Sequence, residues 1–150
     1  MKELVIMRGI PGSGKSTIAR QMVIDHLKTP GNTGVILSTD QQFIVNGSYC
    51  FDMQKLGWAH QRNQELAREV MESGTQLVII DNTNLSYKER KPYIDIGKEF
   101  GYNITLKDSD APWCHDAQEC AKRNTHAVPL QTIERMLEKL KNDINSGSKI

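Results

Sequence analysis

The stretch GIPGSGKST, from Gly9 to Thr17, decides the fold of this 150-residue chain. It contains a complete G-x-x-x-x-G-K-S motif, which follows the apolar run Leu4 to Met7 and precedes a segment with helical spacing of apolar residues. Glycine lets backbone N–H groups turn inward, and a helix N-terminus carries partial positive charge, so this arrangement suits a bound phosphate. The motif therefore predicts a phosphate loop, Gly9 to Ser16, rather than an ordinary glycine-rich turn.

Two side chains of the phosphate loop have predicted chemical roles. Lys15 is expected to reach the outer phosphates of ATP, and the Ser16 hydroxyl is placed to bind Mg²⁺. The residues of this stretch that we predict to bind ATP are Gly9, Pro11, Gly12, Ser13, Gly14, Lys15, Ser16 and Thr17.

Short apolar runs alternate with helical segments along the rest of the chain. The predicted strands are Leu4 to Met7, Val35 to Leu37, Leu77 to Ile80 and Tyr102 to Leu106. The predicted helices are Ser16 to Leu27, Leu56 to Met71, a segment from Ser86 to Gly101, and Leu130 to Ile144. This alternation is typical of βαβ units. It predicts an α/β fold with a parallel sheet of four or five strands flanked by helices.

Local signals mark several helix ends. Ser86 and Glu89 have the S-x-x-E spacing of a capping box. Pro92 falls inside the helix that follows, where it removes one backbone hydrogen bond, and we expect a kink there. Pro129 precedes the last helix, and residues 145–150 are expected to form a frayed tail.

The composition is that of one folded domain spanning residues 1–150. Leu, Ile, Val and Phe make up 35 of the 150 residues, above the roughly 20% below which chains tend to stay unfolded. The 19 basic and 18 acidic residues give a net charge of +1. Global charge therefore favours no partner class, and any basic nucleic-acid site must be local.

The same composition suggests a cellular location. The longest uninterrupted aliphatic run is Leu77 to Ile80, whereas a membrane span needs about 20 apolar residues and a secretory signal a core of about 7–15. The three cysteines form an odd and sparse set, which suits a reducing compartment better than a disulfide scaffold. We expect a soluble cytoplasmic protein without a membrane partner.

A nucleotide site leaves the reaction open, and two absences in the sequence narrow it. Motor ATPases usually have an acidic pair after the second core strand, but here Asp81 is followed by Asn82. Guanine-specific switches carry an N-K-x-D loop, which does not occur in the sequence. Both observations favour a phosphotransferase.

Asp40 is the candidate general base of such a transferase. Transfer to an alcohol needs a carboxylate near the γ-phosphate to accept the hydroxyl proton. Asp40 lies just past the strand Val35 to Leu37, and parallel strands share one rim at their carboxyl ends. We therefore expect Asp40, Asp81 and the phosphate loop to meet at one crevice. A helix cap or turn residue is the alternative role for Asp40.

A transferase also needs a cation over the transferring phosphate. The segment Lys122 to His126, which precedes Pro129 and the last helix, is predicted to form a short lid. Arg123 in this lid segment is the candidate cation and completes the predicted ATP site. A solvated surface arginine is the alternative.

Several segments together resemble one known family. They are Gly9 to Thr17, Ser38 to Asp40, Asp81 to Asn84, Pro112-Trp113, and Lys122 to Asn124 through Ala127 to Pro129. In this order they resemble the kinase domain of phage-type polynucleotide 5′-kinases and related animal P-loop kinase-like proteins. Gly47 to Asp52 and Ala59 to Asn63 are similar to the animal subgroup. The resemblance extends from residue 3 to about residue 144.

The resemblance implies an adenylate-kinase-like fold and transfer of the ATP γ-phosphate to 5′-hydroxyl ends of DNA or RNA. It implies that Lys15 and Ser16 hold ATP and Mg²⁺, that Asp40 is the general base, and that Arg123 is a lid arginine. Asp81 would orient the metal water or the acceptor. The predicted substrate-binding residues are Asp81, Asn82, Thr83, Asn84, Arg90 and His126, and the predicted metal ligands are Ser16 and Asp81.

The chain departs from the phage-type pattern in two places. Those enzymes often have an arginine three residues after the catalytic aspartate, where this chain has Phe43. Their lid often carries a second arginine about four residues after the first, where this chain has His126 and Ala127. The grip on the acceptor is therefore expected to differ from theirs.

Two other functions stay open at this point. A small-molecule kinase for a nucleoside or sugar could use the same scaffold, and its Michaelis constant would not depend on salt. A nucleotide-binding adaptor without turnover is the second alternative. Lys15, Asp40 and Arg123 argue against the adaptor, because a non-catalytic protein need not keep all of them.

Overall fold

A computed structural model describes residues 1–147 and 150 and contains a parallel four-stranded sheet. Its strands are β1 (Glu3–Arg8), β2 (Gly34–Leu37), β5 (Leu77–Ile80) and β6 (Asn103–Asp108), in the order β2-β5-β1-β6. All neighbouring pairs run parallel, with Ile6 opposite Ile80 on one side and opposite Leu106 on the other. The predicted α/β fold and its four strands are confirmed.

The helices lie close to their predicted positions. They are α1 (Lys15–Leu27), α2 (Leu56–Glu72), α3 (Tyr87–Glu99), α4 (Ala117–Arg123) and α5 (Leu130–Asn145). Short 3₁₀ helices cover Thr39–Phe43 and Met53–Lys55. The sequence analysis missed α4, because this short helix buries only Cys120 and so shows little periodicity.

The sequence analysis also missed a small antiparallel hairpin between the first 3₁₀ helix and α2. Its strands are β3 (Ile44–Val45) and β4 (Ser48–Tyr49), joined by Asn46 and Gly47. Both turn residues have positive φ, 51° and 82°. An Asn-Gly pair is the strongest short hairpin signal, so this dipeptide could have revealed it.

Both faces of the sheet are covered, which explains why its strands read as unbroken apolar runs. On one face, Leu4 and Ile6 pack with Ala67 of α2 and Ile94 of α3. On the opposite face, alternate residues of the strands pack against α1 through Ala19. Successive side chains of a strand point to opposite faces, so both sets must be apolar.

A third apolar cluster lies behind the phosphate loop. It contains Ile10 and Cys120 together with Ile133, Leu137 and Leu140 of α5. The predicted spacing of α5 therefore describes its buried face, although Leu130 and Ile144 at the two ends are exposed. Helix α5 thus packs against both the phosphate loop and α4 through this apolar cluster.

The predicted helix ends have mixed outcomes. The Ser86 side chain accepts a hydrogen bond from the backbone N–H of Glu89, so the predicted cap is confirmed. Helix α3 continues through Pro92 from Tyr87 to Glu99, and the kink stays a prediction. Residues 148 and 149 of the predicted frayed tail lie outside the described residues. Within the described residues, no helix has both the length and the apolar character needed to cross a membrane.

Candidate functional site

The phosphate loop connects β1 to α1 and depends on glycine at two positions. Gly12 and Gly14 have φ of 79° and 91°, a left-handed conformation that side chains disfavour. A Cβ atom on Gly12 would lie 2.0 Å from the carbonyl oxygen of Cys120. Helix α4 therefore packs directly against the loop backbone, and only glycine fits there.

The loop is braced by the segment that follows β6. Ser109 Oγ donates a hydrogen bond to the Ser13 carbonyl oxygen (2.5 Å), and Trp113 Nε1 donates one to the Gly12 carbonyl oxygen (3.1 Å). The sequence analysis named Trp113 only as part of the family resemblance and did not single out Ser109. These two bonds fix the carbonyl groups of Gly12 and Ser13 and so hold the loop backbone in place.

Ser16 and Asp81 form a predicted pair that the structure brings together. Ser16 Oγ donates a hydrogen bond to Asp81 Oδ2 (2.7 Å). The other carboxylate oxygen, Asp81 Oδ1, is buried and has no partner among the described residues. Hard oxygen donors of this kind are the ligands that Mg²⁺ prefers, together with phosphate oxygens. The residues present therefore fit an Mg²⁺–nucleotide.

The Asp81–Asn84 loop joins the ends of three strands. Thr83 O accepts from the N–H of Gly9 (3.0 Å), and Asn84 Nδ2 donates to Met7 O (2.7 Å), which ties the loop to β1. Asn82 Oδ1 accepts from the backbone N–H of Thr39 (2.8 Å), which ties it to the end of β2. The loop therefore lies at the carboxyl ends of β1, β2 and β5, the shared rim of the sheet that we predicted from the sequence.

Asp40 lies at this rim, one residue after Thr39, in the first turn of a 3₁₀ helix. Its carboxylate is 46% exposed and has two side-chain contacts. Oδ2 lies 3.2 Å from Nδ1 of His126, and Oδ1 accepts from the Tyr49 hydroxyl at 3.3 Å. Partial burial and the Asp40 charge raise the pKa of Tyr49 to about 12, so this phenol keeps its proton at neutral pH.

The lid segment reaches Asp40 through His126. The imidazole of His126 also stacks on the ring of Tyr49, with centroids 4.3 Å apart. Sequence reasoning did not foresee these contacts, because Tyr49 and the hairpin carried no predicted role.

Arg123 is the last residue of helix α4, so the predicted short lid, Lys122 to His126, begins inside a helix. Its guanidinium lies over the ring of Trp113, 3.6 Å from the centroid, and its Nε donates to Glu119 (2.9 Å). Trp113 is bonded to Gly12, so Arg123 lies on the phosphate-loop side of the lid segment.

Arg90 is not a substrate contact, and that prediction is wrong. Its side chain is fully buried and donates to Asn84 O (2.9 Å) and to Asp143 Oδ2 (2.8 Å). Asp143 also pairs with Arg8, which directly precedes the phosphate loop. A buried arginine needs such partners, so Arg90 faces α5 rather than solvent and supports the Asp81–Asn84 loop from behind.

A cleft of about 450 Å³ opens beside the Asp81–Asn84 loop, between α2 and α3. The polar residues that line it include His60, Gln64, Asn82, Thr83, Asn84 and Lys88. Three predicted substrate-binding residues thus border a cavity of a size common for small ligands, about 300–1,000 Å³.

Comparison with known proteins places this chain in a family. The chain is 44% identical over 135 residues to human NEDD4-binding protein 2, covering 90% of the chain and 7% of that protein. It is 24% identical over 142 residues to 2′,3′-cyclic-nucleotide 3′-phosphodiesterase of Rattus norvegicus, covering 95% of the chain and 32% of that protein. The chain thus spans a minor part of both curated relatives.

Solved structures share the fold. The Pnkp1/Rnl/Hen1 RNA repair complex matches with a TM-score of 0.71 and 21% identity over 97% of this chain and 46% of that one. The Mycobacterium tuberculosis APS kinase CysC, in complex with AMPPNP and APS, matches with a TM-score of 0.61 and 21% identity over 83% and 69% of the two chains. Residues 4–142 match the AAA domain family AAA_33, and the chain belongs to this family as a P-loop kinase-like α/β domain.

Proposed function

We propose that this domain transfers the γ-phosphate of ATP to the 5′-hydroxyl end of DNA or RNA. The observation that carries the proposal is the position of Asp40 at the rim. Its neighbour Thr39 is bonded to Asn82, and the adjacent Asp81 is bonded to Ser16 of the phosphate loop. These two bonds link the residue beside Asp40 to the phosphate loop, which supports a role for the Asp40 carboxylate as the general base for an alcohol.

The phosphate side of the site binds and orients the donor. Backbone N–H groups of the phosphate loop and the start of α1 bind the phosphates, and Lys15 neutralises charge on the outer ones. Lys15 has no ion-pair partner among the described residues, so its ammonium is available. Ser16 and Asp81 would hold Mg²⁺, which when bound supplies positive charge to the phosphate oxygens.

Asp40 takes the proton of the acceptor hydroxyl. The acceptor oxygen forms a bond to the γ-phosphorus, the bond from that phosphorus to the bridging oxygen breaks, and ADP leaves. A carboxylate offers about four lone-pair sites, so the contacts with Tyr49 and His126 leave room for the hydroxyl. Arg123, on the lid segment beside the phosphate loop, stabilises the charge on the transferring group.

The acceptor end lies on the opposite side of the crevice. Asn82, Thr83 and Asn84 border the cleft, and His126 approaches from the lid segment. Similarity in fold to a Pnkp1-containing RNA repair complex supports a polynucleotide acceptor. The curated relative 2′,3′-cyclic-nucleotide 3′-phosphodiesterase is also named for a nucleotide substrate, which agrees with a nucleotide-containing acceptor.

The direct test is incubation with γ-labelled ATP and a 5′-hydroxyl oligonucleotide. The same oligonucleotide with a 5′-phosphate, and the Lys15→Ala variant, are the matched controls. Label is expected only on the 5′-hydroxyl strand and only with the unmodified domain. Absence of label on DNA and RNA strands alike would refute the proposal.

A small-molecule kinase is the second candidate, favoured by the cleft of about 450 Å³ and by the fold similarity to APS kinase. The salt dependence of acceptor binding distinguishes a polynucleotide kinase from a small-molecule kinase. Two or three phosphate contacts on a single strand predict that log affinity falls against log salt with a slope of roughly −2, at about 0.7 per contact. A flat response, with nucleosides used as well as oligonucleotides, would favour the small-molecule kinase.

A further inference from the structure

Three aromatic rings stand in a row beside Asp40. The ring of Tyr49 lies 4.3 Å from that of His126 and 6.5 Å from that of Phe51, measured between centroids, and within 25° of parallel to each. We propose that Tyr49, Phe51 and His126 form a subsite that stacks on the 5′-terminal nucleobase of the acceptor. This inference rests on the proposed function and names the part of the acceptor that these residues recognise.

The row of rings formed by Phe51, Tyr49 and His126 lies next to Asp40, the proposed general base. The Tyr49 hydroxyl and Nδ1 of His126 bind the two oxygens of the Asp40 carboxylate, at 3.3 Å and 3.2 Å. The reacting hydroxyl must come within about 3 Å of that carboxylate. The base of the same nucleotide is attached one sugar away, so it must lie close to rings that touch Asp40 themselves.

Exposure separates the ring row from the packing beneath it. Phe43 is 2% exposed and contacts Tyr49 of the hairpin and Phe51 just after it, with ring centroids 6.3 Å and 5.1 Å apart. Phe51, by contrast, is 48% exposed, and the side chain of His126 is 36% exposed. Phe43 therefore anchors the hairpin to the core, whereas Phe51 and His126, at the two ends of the row, are partly exposed.

The hairpin itself gives the subsite a fixed frame. Its strands are only two residues long, too short to be stable alone. It is held by Phe43 and by the hydrogen bond from Cys50 N–H to Phe43 O at 2.7 Å. Rings on such a frame are already positioned before the acceptor binds, which lowers the entropy that stacking must offset.

The chemistry of the rings indicates the class of ligand. Every nucleobase has a π-face, so stacking tolerates any sequence and suits an enzyme that acts on chain ends. The Phe51 ring has no hydrogen-bonding group, and the Tyr49 hydroxyl is already bonded to Asp40, so neither ring offers a base-specific pattern of donors and acceptors. We therefore expect a strong preference for a base over no base at the 5′ end, and little preference among the bases.

The test compares two 3′-labelled single strands that differ only at the 5′-terminal residue. One carries a normal base there, and the other carries a tetrahydrofuran abasic residue. Dissociation constants are measured by fluorescence anisotropy for the unmodified domain and for Phe51→Ala. Stacking on one base predicts that Phe51→Ala weakens binding of the base-bearing strand by about 5- to 100-fold and leaves the abasic strand unchanged.

Two further variants control for loss of apolar surface and for poor folding. Val45→Ala removes exposed apolar surface from the same hairpin without touching the ring row, and it should bind both strands like the unmodified domain. Phe51→Leu keeps apolar volume but removes the ring, so it should behave like Phe51→Ala even if the alanine variant folds poorly. Thermal melts of each variant check the fold.

The outcomes separate this inference from the proposed function. Equal binding of the two strands by the unmodified domain, or equal loss for both strands in Phe51→Ala and Phe51→Leu, would overturn the stacking subsite. Phosphoryl transfer measured on the same strands can still succeed in that case. Base-dependent binding without transfer would instead uphold the subsite and refute the kinase, and no binding of either strand would refute both.

Discussion

The two sides of the crevice are built in opposite ways. On the phosphate side, the loop backbone is fixed by Ser109 and Trp113 and is packed against α4 so closely that Gly12 admits no Cβ. On the acceptor side, a two-residue hairpin and the lid segment meet through half-exposed side chains around Asp40. The proposed donor site is thus defined by backbone, and the proposed acceptor site is defined by side chains.

This difference has a physical basis. A phosphate is recognised by its charge and its oxygens, which backbone N–H groups and a helix N-terminus can serve. Such a site needs an exact backbone and tolerates few side chains. An alcohol on a larger acceptor needs a base and shape recognition, which side chains on short loops provide.

The largest effect is expected from Lys15→Ala on the phosphate side. Nothing else in the loop supplies a side-chain positive charge to the outer phosphates, so transfer should fall below detection and ATP binding should weaken strongly. Equilibrium binding of a fluorescent ATP analogue and a turnover assay measure both. Near-normal turnover would contradict the nucleotide site itself.

Arg123→Ala probes the lid between the two sides. Loss of the guanidinium should lower turnover about 10³-fold or more, about 4 kcal/mol at the transition state. Arg123→Lys should rescue poorly, because an ammonium can neither bridge two oxygens in a fixed fork nor stack on Trp113 in the same way. The rate constant of single-turnover transfer is the measurement, and full rescue by lysine would contradict the proposed role.

Asp40→Asn tests the acceptor side without disturbing the donor. It keeps the shape of the side chain and removes the proton acceptor, so turnover should fall about 10²–10⁴-fold while ATP affinity stays unchanged. Separate measurements of ATP binding and of turnover test whether Asp40 acts as the general base. Equal losses in both would show that Asp40 is a structural or metal-binding residue.

Arg90→Met tests the support behind the Asp81–Asn84 loop. The substitution removes the donor to Asn84 O and one cation of the buried pair, although Arg8 still pairs with Asp143. We expect the free energy of unfolding to fall by about 3 kcal/mol, measured by urea denaturation. The matched control is Lys91→Met on the exposed face of α3, which should leave the free energy of unfolding close to that of the unmodified domain.

The smallest effect concerns the Tyr49 phenol. Its pKa is raised from 10.0 to about 12, so the folded state favours the protonated form. This contribution to stability is complete below pH 10 and is lost as the pH rises through about 12. Tyr49→Phe should therefore lose less stability than the unmodified domain over this range, measured by thermal melts at each pH. Parallel curves would contradict the raised pKa of Tyr49.

Contiguous patterns in the sequence were sufficient for the fold and for the position of the phosphate loop. The phosphate loop needs consecutive residues in one order, and strands buried on both faces must be apolar along their whole length. The positions of Asp40 and Asp81 followed because parallel strands end at one rim. Each of these inferences depends on neighbours in the chain or on a general rule of sheet topology.

Tertiary structure alone decided which side chains meet across the crevice. Arg90 has the sequence context of an exposed basic helix face, yet it is buried against Asp143, 53 residues away. Trp113 braces Gly12 across 101 residues, and His126 meets Asp40 and Tyr49 from a distant segment. Such contacts leave no periodic trace in the sequence, because they arise from how helices and loops pack once the sheet has formed.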